Sequence, residues 1–141
     1  MGYRSDVRII TSKKGYEVLR DYVNKNAVKY RTPDYDFNLM NSIDILKETP
    51  DGAQVMFGWS YIKWYDGEYR DVDLIVEALN HLSENQFNWR MTRIGESYDD
   101  IEEDYYDGSQ TDTELDWPWV VRDFDDEGAG FTIDKLVKEN E

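Results

Sequence analysis

The sequence predicts an α+β domain, an antiparallel sheet with two helices on one face. The element order is the β-α-β-β-α-β of a ferredoxin-like core, followed by extra C-terminal strands and a short helix. Three observations carry this expectation. Apolar residues recur at helical spacing in residues 13–26 and 71–84. Around them, other segments alternate apolar and polar residues as half-buried strands do. A Pro50-Asp51-Gly52 turn joins two of those segments into a hairpin.

Residues 3–11 alternate around Val7 and Ile9 and predict the first strand. Ser12 is placed to cap a helix over 13–26, because its hydroxyl can accept a free N–H of the first turn. The inward stripe of that helix is Tyr16, Leu19, Tyr22 and Val23. Gly15 costs it up to about 1 kcal/mol relative to alanine and predicts a frayed start. Residues 27–41 contain Pro33, lack a period and read as a loop. Strands over 43–47 and 53–64 flank the turn, where Pro presets φ and Gly tolerates positive φ. Strict alternation puts Val55, Phe57, Trp59 and Tyr61 on one face of the second strand, with Met56, Ser60, Ile62 and Trp64 on the other. The second helix, over 71–84, buries Val72, Ile75, Leu79 and Leu82, widened by Leu74 and Ala78. Asp71 and Asp73 suit its positive N-terminal end. Residues 86–95 form a strand with Phe87, Trp89 and Met91 on one side. Beyond it, residues 96–107 and 113–124 suggest a hairpin across Asp107-Gly108, and residues 132–140 a short helix led by Thr132. The whole is expected as one domain over 1–141, a core of 1–95 and an acidic extension of 96–141.

The net charge of −15 is unevenly placed. Residues 1–94 hold 13 Lys/Arg against 14 Asp/Glu, whereas 95–141 hold 3 against 17. Such a field repels nucleic acid and anionic membranes and attracts basic surfaces over about 8 Å at physiological salt. No direct nucleic-acid binding is therefore expected. No apolar stretch reaches the roughly 18 residues that a membrane helix needs. The N-terminal residues lack an apolar signal core, and Asp6 departs from the myristoylation pattern, so a cytoplasmic protein is expected. The absence of cysteine removes disulfides, thiolate metal sites and cysteine nucleophiles.

Chemistry-bearing patterns are few. His81 is the sole histidine and sits at the edge of the second helix's apolar stripe, where a packing or exposed role is expected. Gly128-Ala129-Gly130 lacks the Lys and Ser/Thr of a phosphate loop. Asp123, Asp125, Glu127, Gly128 and Asp134 approximate a calcium loop, but Gly130 replaces an apolar residue and the last position is Asp rather than Glu. Acidic pairs abound, yet nothing singles out two carboxyls for acid–base work. No catalytic residue, cofactor or metal is expected.

Seven of the twelve residues in 96–107 are acidic, with Tyr98, Tyr105 and Tyr106 among them. On a strand, alternate side chains lie about 6.8 Å apart, a spacing suited to imitating a row of phosphates. Asp99, Asp100, Glu102, Glu103, Asp104 and Asp107 are the expected contacts, with Tyr105 and Tyr106 as anchors. The partner is then a basic nucleic-acid-binding protein. The plain alternative is a solvated acidic face whose aromatics point inward.

The segments Met1-Gly2-Tyr3-Arg4-Ser5-Asp6-Val7, Trp64-Tyr65-Asp66 and Arg93-Ile94-Gly95-Glu96, leading to Asp99-Asp100-Ile101-Glu102, resemble a group of small uncharacterised bacteriophage and prophage proteins. The resemblance covers roughly residues 1–105 and transfers no functional residue. It implies a phage accessory protein in the bacterial host cytoplasm. By analogy with other small acidic phage proteins, inhibition of a CRISPR effector or a restriction enzyme is the expected role. A virion structural or assembly protein, oligomeric or homodimeric, is the alternative, and a small enzyme or metal-dependent hydrolase the third.

Overall fold

A computed structural model describes residues 2–65, 67–120 and 124–136. Among these the chain forms β1 (Ser5–Ser12), α1 (Lys13–Ala27), a 3₁₀ turn (Leu39–Ser42), β2 (Ile45–Glu48), β3 (Gln54–Ile62), α2 (Arg70–Glu84), β4 (Trp89–Gly95), β5 (Ile101–Tyr106) and β6 (Ile133–Asp134). One six-stranded sheet runs in the order β5-β4-β1-β3-β2-β6, with every neighbouring pair antiparallel. The α+β expectation holds. The four central strands lie in the order β4-β1-β3-β2, and the two C-terminal strands β5 and β6 take the edges.

Ser12 caps α1 as its position predicts, its Oγ accepting from Gly15 N at 3.0 Å. Gly15 is therefore part of the cap rather than a point of fraying, and it is buried. In the β2–β3 turn, Gly52 N donates to Thr49 O at 2.9 Å, with Gly52 at φ 72°. Asp51 accepts from Ala53 N and from the Thr49 hydroxyl, and these two bonds, in that order, lower its carboxyl below the usual range.

The larger core lies between the sheet and both helices. Val7, Ile9, Phe57, Trp59, Trp89 and Met91 from the strands meet Leu19 and Val23 of α1 and the α2 stripe of Val72, Ile75, Leu79 and Leu82. Alternation along β3 breaks after Trp59. Trp59 pairs with Val7 but Ile62 pairs with Ser5, so one extra residue bulges between them. Two carboxylates hold the bulge: Asp6 accepts from Tyr61 N at 2.8 Å, and Asp44 accepts from Ser60 N at 3.1 Å. Tyr61 takes φ 56° and is exposed, while Ile62 and Trp64 join the larger core. The strict alternation expected for 53–64 is corrected accordingly.

The second sheet face is covered by the acidic third of the chain. Leu115 and Phe131 pack on Ile10 and Met56, with Ile45 and Ala129 at the margin. The hairpin expected between 96–107 and 113–124 is replaced. Its first half pairs with β4 instead, and residues 113–119 run without regular structure. The helix expected over 132–140 is not formed in its described part. Ile133 and Asp134 pair with Glu48 and Lys47 as β6, and residues 137–140 lie outside the described residues.

Candidate functional site: the acidic β4–β5 edge

β5 is an edge strand, and its register sorts the acidic run onto two faces. Glu102, Asp104 and Tyr106 pair with Arg93, Met91 and Trp89, so they share the helix-side face. Ile101, Glu103 and Tyr105 pair with Ile94, Thr92 and Arg90 and share the face crossed by the C-terminal segment. Residues 96–100 make the turn between the strands, closed by Gly95 N donating to Asp100 O at 2.8 Å.

Arg93 organises this hairpin. Its Nη2 and Nη1 bond both oxygens of Asp100, at 2.8 and 3.2 Å, and its Nε bonds Glu102 Oε1 at 2.9 Å. Nη1 also reaches Ser5 Oγ at 3.0 Å, fastening the hairpin to β1. Tyr3 completes the clamp: its hydroxyl donates to Asp100 Oδ2 at 2.6 Å and accepts from Ser97 N at 2.8 Å. Arg93 and then Tyr3 hold the Asp100 carboxyl below the usual carboxylate range. Burial pulls Arg93 down, but its bonds to Asp100 and Glu102 outweigh this and raise its pKa above the ordinary arginine value.

The eight expected contact residues thus divide. Asp100 and Glu102 are bound to Arg93, and Asp107 pairs with Arg90 at 3.4 Å. Tyr106 packs against the larger core. Tyr105 is 60% exposed, edge-on to Trp117 at 6.0 Å and near the Arg90 guanidinium. Asp99, Glu103 and Asp104 are exposed and lack an ion-pair partner among the described residues. The Asp104 carboxylate does accept from Tyr105 N, at 2.8 Å, which occupies one of the strand's own N–H groups. Arg93 and Tyr3 escaped the sequence reading. The signal that finds Arg93 is the cross-strand register Arg93–Glu102, visible once β5 is paired with β4.

The remaining candidates are placed as follows. His81 is stacked on Tyr22 with ring centroids 4.6 Å apart. Asp126, of the acidic loop, turns inward to Arg8 at 3.7 Å and Lys47 at 3.4 Å. Asp125 Oδ1 accepts from Gly128 N at 2.9 Å, and Asp134 belongs to β6. Asp123 lies outside the described residues. Among the described residues no group of three or more His, Cys, Asp or Glu side chains is arranged to hold a metal. No helix there is long and apolar enough to cross a membrane. No family model matches the chain, and no curated protein or solved structure matches it either.

Proposed function

We propose that this is a non-catalytic binding protein whose β4–β5 edge docks into a Lys/Arg-lined groove of a nucleic-acid-handling protein, taking the place of phosphates and blocking the groove. One observation carries the reading: Asp99, Glu103 and Asp104 are exposed on a hairpin braced by Arg93 and Tyr3, with no cation of the described chain neutralising them. A braced hairpin presents its charges without the ordering cost that a mobile acidic tail meets on binding. Electrostatic attraction of this kind accelerates encounter and weakens with salt. The exposed Tyr105, on the same face of β5 as Glu103, supplies rigid contact area.

The test uses the full chain, immobilised as wild type and as the triple variant Asp99→Lys/Glu103→Lys/Asp104→Lys. Bacterial lysate is passed over both, and bound proteins are eluted with salt and identified by mass spectrometry. Nucleic-acid-binding proteins should be held by the wild type, released as salt rises, and absent from the variant, whose circular dichroism is unchanged. The same proteins retained equally by both chains would overturn the reading.

A further inference from the structure

Away from the acidic edge, a hollow of about 610 Å³ opens at the start of α2. Its apolar walls are aromatic. Tyr35 and Phe37, from the segment before the 3₁₀ turn, lie with ring centroids 4.6 Å apart and planes tilted by 59°. Tyr69, immediately before α2, is braced edge-on by Tyr65 at 5.2 Å. The hollow is also lined by Asp71, which is only 7% exposed. Asp71 Oδ2 accepts from the Tyr35 hydroxyl at 2.7 Å, and Oδ1 accepts from Val72 N at 2.8 Å.

Asp71 has no ion-pair partner among the described residues, although buried carboxylates are ordinarily paired. Of the two cations lining the hollow, Arg70 is engaged elsewhere. The Arg70 guanidinium lies over the Tyr30 ring at 4.5 Å, and its Nη1 is 3.6 Å from Glu77. Lys63 is the remaining cation of the lining and forms no ion pair with Asp71. Glu68 adds a second carboxylate to the lining. Tyr35 also stays protonated: the bond to Asp71, then burial, pushes its pKa up to about 12. Aromatic rings beside a buried acid that lacks an ion-pair partner form an arrangement that attracts an organic cation.

We infer that this hollow binds an organic ammonium group, a protonated or methylated amine, with Asp71 as counter-ion and Tyr35, Phe37 and Tyr69 as walls. An anion is disfavoured, because the Asp71 and Glu68 carboxylates line the hollow while Arg70 is held by Glu77 and the Tyr30 ring. A neutral apolar ligand would leave Asp71 without its counter-ion. The amine is carried either by a small molecule or by a lysine side chain.

The experiment is a two-dimensional NMR titration of the full chain with tetramethylammonium, n-butylammonium, their neutral isosteres tert-butanol and n-butanol, and a short peptide containing trimethyl-lysine. The ammonium probes should shift the amides of residues 35–37 and 69–72 and bind at least tenfold more tightly than the isosteres. Asp71→Asn should remove that preference. Because it could disturb α2, Tyr69→Ala at a partly exposed position serves as a second variant and should weaken the ammonium probes at least fivefold. A peptide bound tenfold more tightly than tetramethylammonium assigns the amine to a protein side chain, and equal binding assigns it to a small molecule. Isosteres binding as well as the cations, or no shifts at those amides, overturn the inference. Neither result bears on the acidic edge, which lies on other elements.

Discussion

Arg93 shows how single side chains set the properties of the acidic edge. Its guanidinium is largely buried, which by itself disfavours the charge, yet four hydrogen bonds to Asp100, Glu102 and Ser5 keep it ionised. The same bonds depress Asp100. A carboxyl depressed in the folded state adds stability above its unfolded pKa of about 3.9, and that stability is lost as pH falls through the folded value. Carbon-detected NMR should therefore find Asp100 titrating below an ordinary aspartate. Tyr3→Phe should raise its midpoint and Arg93→Met should raise it further, since the arginine is the larger influence. The β4–β5 turn amides should lose exchange protection over the same acid range. An Asp100 midpoint at the ordinary aspartate value in the wild type would show that the clamp is open in solution.

Elements followed from the sequence where a local signal and the burial pattern agreed. Ser12, the Pro50-Asp51-Gly52 turn and the α2 stripe each have a short-range physical cause, so α1, the β2–β3 hairpin and α2 appear where expected. The β3 bulge was hidden, because Asp6 and Asp44 that hold it are distant in sequence and look like ordinary surface acids. The β4–β5 pairing was hidden differently. Gly95 to Asp100 is a weaker turn signal than Asp107-Gly108, so the sequence pairs the acidic strand with the wrong neighbour and gives no sign of Arg93. Gly58 is a further position that only packing explains. A Cβ there would come within 1.9 Å of the Val7 carbonyl oxygen, a backbone atom that cannot swing aside. Gly58→Ala must push β1 and β3 apart, and overpacking of this kind costs about 1–3 kcal/mol. The urea midpoint should fall with an unchanged slope, and an unaltered midpoint would mean that the two strands lie farther apart than described.

For the molecule as a whole, the charge of the last third has two destinations. Asp100, Glu102, Asp107 and Asp126 turn back onto Arg93, Arg90, Arg8 and Lys47, while Asp99, Glu103 and Asp104 stay exposed. Composition records the total and not this division, since which acid meets which arginine depends on how the segment crosses the sheet. That crossing is itself held by apolar contacts that have no period to reveal them: Leu115 and Phe131 on Ile10 and Met56. Arginine–aromatic contacts reinforce it, with Arg8 over Phe124 at 4.3 Å and Arg90 near Trp117 at 5.4 Å. The described part of the acidic third supplies both edge strands and packs on the second sheet face, and it should unfold with the rest. Phe131 has no exposed surface and anchors the crossing after its last turn. Phe131→Ala should destabilise the domain by about 3–5 kcal/mol, the usual range for a large aromatic removed from a core. Thermal unfolding followed at once by the tryptophan signal and by far-ultraviolet circular dichroism should remain one coincident transition at a lower temperature. If the two signals separate, with Trp117 and Trp119 released while the sheet persists, the acidic third is an independent unit and its charges are not braced by the fold.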